Sequence, residues 1–261
     1  DMDENKEYVI LGKGVGFGKK VSQRFDKPEG CTTYRLEQET ERGSAKELVK
    51  GIEPEYLEIA DAILTESQKV FGDSIDRGIL FPLADHISFA VARIRRNEQI
   101  SNPLTEDIKV LFYSEFKVAE TLKTILRERL QIEIDDHEVG YVALHIHSAI
   151  GDEKVSVAMQ TARAVRECID MLEKATGKPI DVLSLSYNRL MNHMKYMVAR
   201  ASTGEKLNLD MNEYMLDQYR QAYKVATDIC KNLEGCIGHK LDETETGYLA
   251  MHIQRVYKDA V

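Results

Sequence analysis

The chain repeats itself. Glu138-Val-Gly-Tyr-Val-Ala-Leu-His-Ile146 lies over Glu245-Thr-Gly-Tyr-Leu-Ala-Met-His-Ile253, with Glu, Gly, Tyr, Ala, His and Ile identical, an offset of 107 residues. At the same offset Asp85-His86-Ile-Ser-Phe-Ala-Val-Ala-Arg93 lies over Asn192-His193-Met-Lys-Tyr-Met-Val-Ala-Arg200, and Lys117-Val118-Ala119 lies over Lys224-Val225-Ala226. Chance explains three segments in one register poorly, so most of the chain reads as two copies of one unit joined near Gly151. With 261 residues, each copy is long enough to bury a core of its own.

Both copies are helical by pattern. Beyond about Ala45, apolar residues recur three and four apart with almost no strand-like alternation. The stretches are 53–71, 79–97, 106–130, 135–150, 154–176, 181–201, 211–233 and 242–257, eight principal helices. Pro82 fits the first turn of the helix that holds His86, where its missing N–H is not needed. Gly151-Asp152 and Gly177-Lys178-Pro179 are breakers.

The N-terminal segment has another character. Tyr8-Val9-Ile10-Leu11 is strand-like, and from Tyr8 to Arg24 there are four basic residues, Lys13, Lys19, Lys20 and Arg24, and no acidic one. Asp26 to Ser44 reads as a weak strand and a linker, with Pro28-Glu29-Gly30 as a turn. The whole chain carries a net charge of −9, which argues against a protein that coats nucleic acid over its entire surface and leaves room for a local basic patch. No apolar run is long enough to span a membrane, and Asp1 to Lys6 contain no apolar stretch of a signal peptide. Cys31, Cys168, Cys230 and Cys236 form no C-x-x-C pair, which suits reduced thiols in the cytoplasm.

Four of the seven histidines fall on the repeat: His86 and His145 in the first copy, His193 and His252 in the second. A histidine on a helix with apolar neighbours is commonly a hydrogen-bonded core residue, and both copies would inherit that too. On a helix His145 and His147 point about 200° apart, so they do not chelate one metal ion. Nucleophilic hydrolysis would need a Ser or Cys partner and an orienting carboxylate, and neither is read as repeating. Phosphoryl acceptance asks less, only a reachable neutral imidazole nitrogen, and an ordinary pKa of about 6.5 provides that. Arg93 and Arg200, two turns beyond His86 and His193, are too far along their own helices to clamp a phosphate there and read as solvated rim charges.

The run Gly12-Lys-Gly-Val-Gly-Phe-Gly-Lys-Lys20 matches neither a P-loop nor a dinucleotide fingerprint in its spacing. RNA suits it better. Glycines allow close approach to a sugar-phosphate backbone, Phe17 can stack on a base, and the lysines can meet phosphates. A glycine-rich hairpin with a buried Phe fits the same residues.

Taken together, the glycine run, Asp85-His86-Ile87, Gly140-Tyr-Val-Ala-Leu-His-Ile-His-Ser-Ala149 and the second copies around His193 and His252 resemble the BglG/SacY-type transcriptional antiterminators of bacteria, with Leu11 to Lys20 closest to the glucose-type branch. The resemblance covers essentially the whole chain. It implies a mainly α fold: two tandem homologous helical-bundle PTS regulation domains, at 45–151 and 152–261, preceded by a truncated small β co-antiterminator domain and linker at 1–40. It further implies that Gly12, Lys13, Gly14 and Phe17 face RNA. His86, His145, His193 and His252 would be phosphorylation sites served by the phosphocarrier protein or a sugar permease subunit of the phosphotransferase system. A homodimer would bind an mRNA antiterminator hairpin, using no metal and no bound nucleotide, and would catalyse no reaction of its own.

In the family the co-antiterminator domain begins earlier, with a strand and an Asn-rich turn, and Gly18 stands where relatives often have a polar residue. This chain is therefore expected to bind RNA weakly by itself. A DNA-binding activator with the same regulatory domains is the alternative, although no helix-turn-helix or ATPase module is visible. A metal-binding helical protein is a third reading, disfavoured by the histidine spacing.

Overall fold

The computed structural model describes residues 8–12, 14–20, 23, 26, 30–35, 39–40, 43–44, 51–151, 154–181 and 184–259. It is mainly helical, as expected. At the N-terminus β1 (Tyr8–Leu11) pairs antiparallel with β2 (Thr32–Arg35), Val9 opposite Tyr34, and β3 (Glu39–Thr40) pairs with β4 (Gly43–Ser44). The helices are α1 (Pro54–Phe71), α2 (Leu80–Arg95), α3 (Thr105–Leu111), α4 (Tyr113–Ala119), α5 (Thr121–Leu130), α6 (Asp136–Gly151), α7 (Val155–Thr176), α8 (Leu185–Thr203), α9 (Asn212–Gln218), α10 (Arg220–Ile237) and α11 (Glu245–Asp259).

Local chemistry sets many of the ends. Pro54 opens α1 at its first position, and Ser184 caps α8 by accepting a hydrogen bond from the Tyr187 N–H at 3.1 Å. Pro82 lies in the first turn of α2, where it removes no helical hydrogen bond. Two helices expected to be continuous are broken. The stretch 106–130 divides at Phe112 (φ −118°, ψ 46°) and 211–233 divides at Tyr219 (φ −138°, ψ 52°), positions that are equivalent in the repeat. A non-helical residue at each place turns the chain, yet apolar spacing resumes on the far side, so periodicity alone reads through it.

The described residues form two compact units. The first contains residues 1–101 and 114–153, the second 102–113 and 154–261. In the first, α1 packs on α2, α5 and α6, and α2 packs on α6, around Ile59, Ile63, Leu64, Leu83, Ile87 and Leu144. In the second, α10 packs on α7 and α11, and α11 on α8. Gly247 lets α11 come close to the start of α9: a Cβ there would stand 2.7 Å from the Asn212 nitrogen. Residues 102–113 group with this second unit through α3, which packs on α7 and α8, and through Lys195, whose Nζ lies 5.5 Å from the Phe112 ring centre.

Within the first unit the β segment is tied to the helices by one polar knot. Tyr34 is buried with its ring edge on Phe81, and its hydroxyl donates to Asp61 while accepting from Arg77 Nη2 at 2.7 Å. Arg77 also bonds Asp61 at 2.6 Å and Gln68 at 2.9 Å. Burial, with Asp61 beside it, pushes the Tyr34 phenol above its ordinary pKa, so it stays protonated and donates. Tyr34→Phe is expected to cost about 1–3 kcal/mol, the usual penalty for orphaning buried polar partners. Urea unfolding should read that loss, with faster amide exchange in β2.

Candidate functional site

The repeated histidines meet in pairs, one pair in each unit. In the first, α2 carries His86 and α6 carries His145, with ring centres 5.3 Å apart. In the second, α8 carries His193 and α11 carries His252, stacked at 4.7 Å. A tyrosine from the second helix flanks each pair: Tyr141 lies 5.7 Å from His86 and Tyr248 lies 6.2 Å from His193.

An orienting carboxylate does repeat, which corrects the reading from sequence. Glu138, at the start of α6, brings Oε2 to 3.4 Å from His86 Nε2 and accepts a 2.8 Å hydrogen bond from Arg93 Nη2. Glu245 does the same in the second unit, with Oε2 3.6 Å from His193 Nε2. Arg200 grips it with two bonds, Nε to Oε1 at 2.6 Å and Nη2 to Oε2 at 3.0 Å. Arg93 and Arg200 are thus partners of buried carboxylates on the neighbouring helix rather than solvated rim charges. Their distance from the histidines along α2 and α8 is spanned by the glutamate.

The copies differ in burial and charge. His86 is 18% exposed and His193 only 9%. Although burial opposes it, hydrogen bonding from His86 and Arg93 holds the Glu138 carboxyl below the usual range, so it is charged. In the second unit burial, with His252 and Arg200 nearby, lowers the His193 pKa to about 3. Burial, with Arg255 and Arg189 nearby, lowers that of His252 to about 4. Both imidazoles are therefore neutral at pH 7 and carry a nucleophilic lone pair. Arg189 and Arg255, both exposed, have Pro82 and Ser148 as their counterparts in the first copy. The second pair alone has this basic rim, and sequence reasoning passed over it.

His147, which has no histidine counterpart, contacts Glu115 of α4 through Nδ1 at 2.9 Å. Its counterpart is Gln254, and that of Glu115 is Ala222. This buried pair belongs to the packing of the first unit and not to the duplicated cluster.

In the N-terminal segment, three successive turns run from Gly12 to Lys19, with Val15 N–H bonding to the Gly12 carbonyl, Phe17 to Gly14 and Lys19 to Gly16. Gly14 has φ +75°, a conformation that glycine adopts without strain. Phe17 stands at the tip, 90% exposed, which sets aside the buried-hairpin alternative for that ring. Lys13 lies outside the described residues. The turn presents an uncovered aromatic face among exposed lysines, Lys19 and Lys20, an arrangement able to stack on a base and meet phosphates.

Two helical units with the same His–His–Glu–Arg cluster define a duplicated regulatory module, and the chain belongs to the PRD domain family, whose pattern matches residues 61–149 and again 165–256. Among named relatives, the chain is 29% identical over 259 residues to the GlcA/glcB genes antiterminator of Staphylococcus carnosus, spanning 97% of this chain and 89% of that protein. It is 27% identical over 252 residues to the protein GlcT of Staphylococcus haemolyticus, spanning 95% and 89%. It is 26% identical over 262 residues to the transcription antiterminator LicT of Bacillus subtilis, spanning 99% and 94%. The family resemblance drawn from the sequence holds. No helix among the described residues is long and apolar enough to cross a membrane.

Proposed function

We propose that the chain is a phosphorylation-controlled transcriptional antiterminator that binds an mRNA hairpin and so prevents termination ahead of a sugar-utilisation operon. On this reading residues 1–40 are the RNA-facing arm, with Gly12, Lys13, Gly14 and Phe17 in the contact loop. Residues 45–151 and 152–261 are the two PTS regulation domains. His86, His145, His193 and His252 accept phosphoryl groups from the phosphocarrier protein or a sugar permease subunit of the phosphotransferase system. The protein acts as a cytoplasmic homodimer.

The observation that carries the reading is the duplicated cluster itself. Each first histidine lies against a glutamate that is held by an arginine of the histidine's own helix. A phosphoryl group adds close to two negative charges and three acceptor oxygens. Placed on the ring it repels Glu138 or Glu245 and offers Arg93 or Arg200 a stronger acceptor, so the bond that joins α2 to α6, or α8 to α11, has to exchange partners. That exchange is a local charge event able to bias helix packing. In the second copy Arg189 and Arg255 can also receive the phosphoryl oxygens. The Tyr34 knot gives the N-terminal β segment a direct mechanical link to the first unit. A DNA-binding activator is not favoured, since the relatives are antiterminators by name.

Purified phosphotransferase components with labelled phosphoenolpyruvate are expected to label the chain. The variant with all four histidines changed to alanine should stay unlabelled, and labelling equal to wild type would overturn the regulatory half. For the RNA half, the chain extended at its N-terminus by the strand that the family calls for should bind a hairpin RNA with salt-dependent affinity. Unchanged affinity in Lys13→Ala/Phe17→Ala would overturn it.

A further inference from the structure

We infer that Glu138 and Glu245 are positioning residues that fix the tautomer of His86 and His193, so that the phosphoryl group is received on Nδ1 of those two rings. The inference rests on the phosphoacceptor reading above and adds the atom. The geometry is the same in both copies. His86 Nε2 and His193 Nε2 are fully buried, and each faces one oxygen of a buried carboxylate at 3.4 and 3.6 Å. A neutral imidazole has one N–H and one lone pair. A carboxylate that is held by arginine accepts and does not donate, so the proton belongs on Nε2 and the lone pair on Nδ1. The distances are long for a hydrogen bond and leave Nε2 without a full partner at rest, a geometry that tightens when charge develops.

The step balances. Nδ1 attacks phosphorus of a donor N-phosphoryl group, the donor P–N bond breaks and a P–Nδ1 bond forms. The Nε2 proton stays where it is, and the acceptor ring becomes an N-phosphoryl imidazolium. When the donor ring was itself protonated it leaves as a neutral imidazole, so one positive charge has passed between rings and nothing is oxidised or reduced. That new charge lies against Glu138 or Glu245, the role a buried carboxylate plays beside any histidine that turns cationic. The second histidine of the pair has the opposite polarity in the second copy. Nδ1 of His252 is the buried nitrogen, which leaves Nε2 as its acceptor.

The test uses the full chain with 15N-labelled histidine and potassium phosphoramidate as a partner-free donor. In the resting protein, imidazole 15N shifts should place the proton on Nε2 of His86 and His193. After reaction, long-range 1H–15N correlations should show Nδ1-phosphohistidine at these two rings, favoured by about tenfold or more, the usual weight of an outer carboxylate on a histidine. Glu138→Gln and Glu245→Gln, whose amide oxygen can still accept from Nε2–H, should keep the isomer. Glu138→Leu and Glu245→Leu should give mixed isomers. A resting proton on Nδ1, or Nε2-phosphohistidine at either ring, would overturn the inference. Failure of all four histidines to take up phosphate would instead overturn the phosphoacceptor reading, with the resting tautomer still deciding the role of the glutamates.

Discussion

Replacing Glu245 with leucine is expected to destabilise the second helical unit by about 3–5 kcal/mol, the range for removing one partner of a buried ion pair. Glu245 is 1% exposed and Arg200 14%, and two hydrogen bonds join them. Without the carboxylate, the guanidinium is left in a packed helix interface with little water to replace its acceptor. Glu138→Leu should cost less, about 1–3 kcal/mol, because Arg93 is 26% exposed and makes one bond that water can replace. The two effects can be read by urea unfolding followed by circular dichroism. The decisive arm is Arg200→Met/Glu245→Leu, which should recover most of the loss, since an apolar pair of similar volume leaves no buried charge unpaired. A double variant as unstable as Glu245→Leu alone would assign the loss to packing rather than charge.

This asymmetry between the copies was only partly legible in the sequence. The repeat exposed the two-unit plan and the four histidines, because duplicated motifs survive in one register. Glu138 and Glu245 stood inside the same matched motif, yet they read as helix starts: their partners Arg93 and Arg200 lie 45 residues away in sequence, a separation that no helical periodicity connects. Arg189 and Arg255 were hidden for the opposite reason, since they occupy positions where the copies disagree. A comparison for differences, Pro82 against Arg189 and Ser148 against Arg255, would have found them. The breaks at Phe112 and Tyr219 and the grouping of residues 102–113 with the second unit are matters of tertiary packing, and apolar spacing carries no signal for either. Exposure of Phe17 was likewise open until the turns around it were placed.

Acidification should weaken the second unit through His193 and His252. In the unfolded chain each titrates at about 6.5, but in the folded protein only at about 3 and about 4. Between those values the unfolded state binds more protons, so stability rises with pH and is lost as pH falls below 6.5. A fully buried histidine contributes about 1.4 kcal/mol per pH unit, and His252, nearer the surface, contributes less because water screens it. Together they should contribute roughly 2 kcal/mol per unit between pH 6 and 4.5. Asp107 works against them. Burial, only partly offset by Arg166, raises its pKa to about 6, so the folded chain holds a proton that the unfolded chain releases, and acid favours folding through this group. The quantity to measure is therefore the difference between two curves, the unfolding free energy of wild type and of His193→Gln/His252→Gln against pH, in which Asp107 and the other carboxylates cancel. Wild type should lose roughly 2 kcal/mol per unit relative to the variant over that window. Parallel curves would mean that both rings are hydrated in solution, and the sealed His–Glu–Arg cluster of the second unit would not stand.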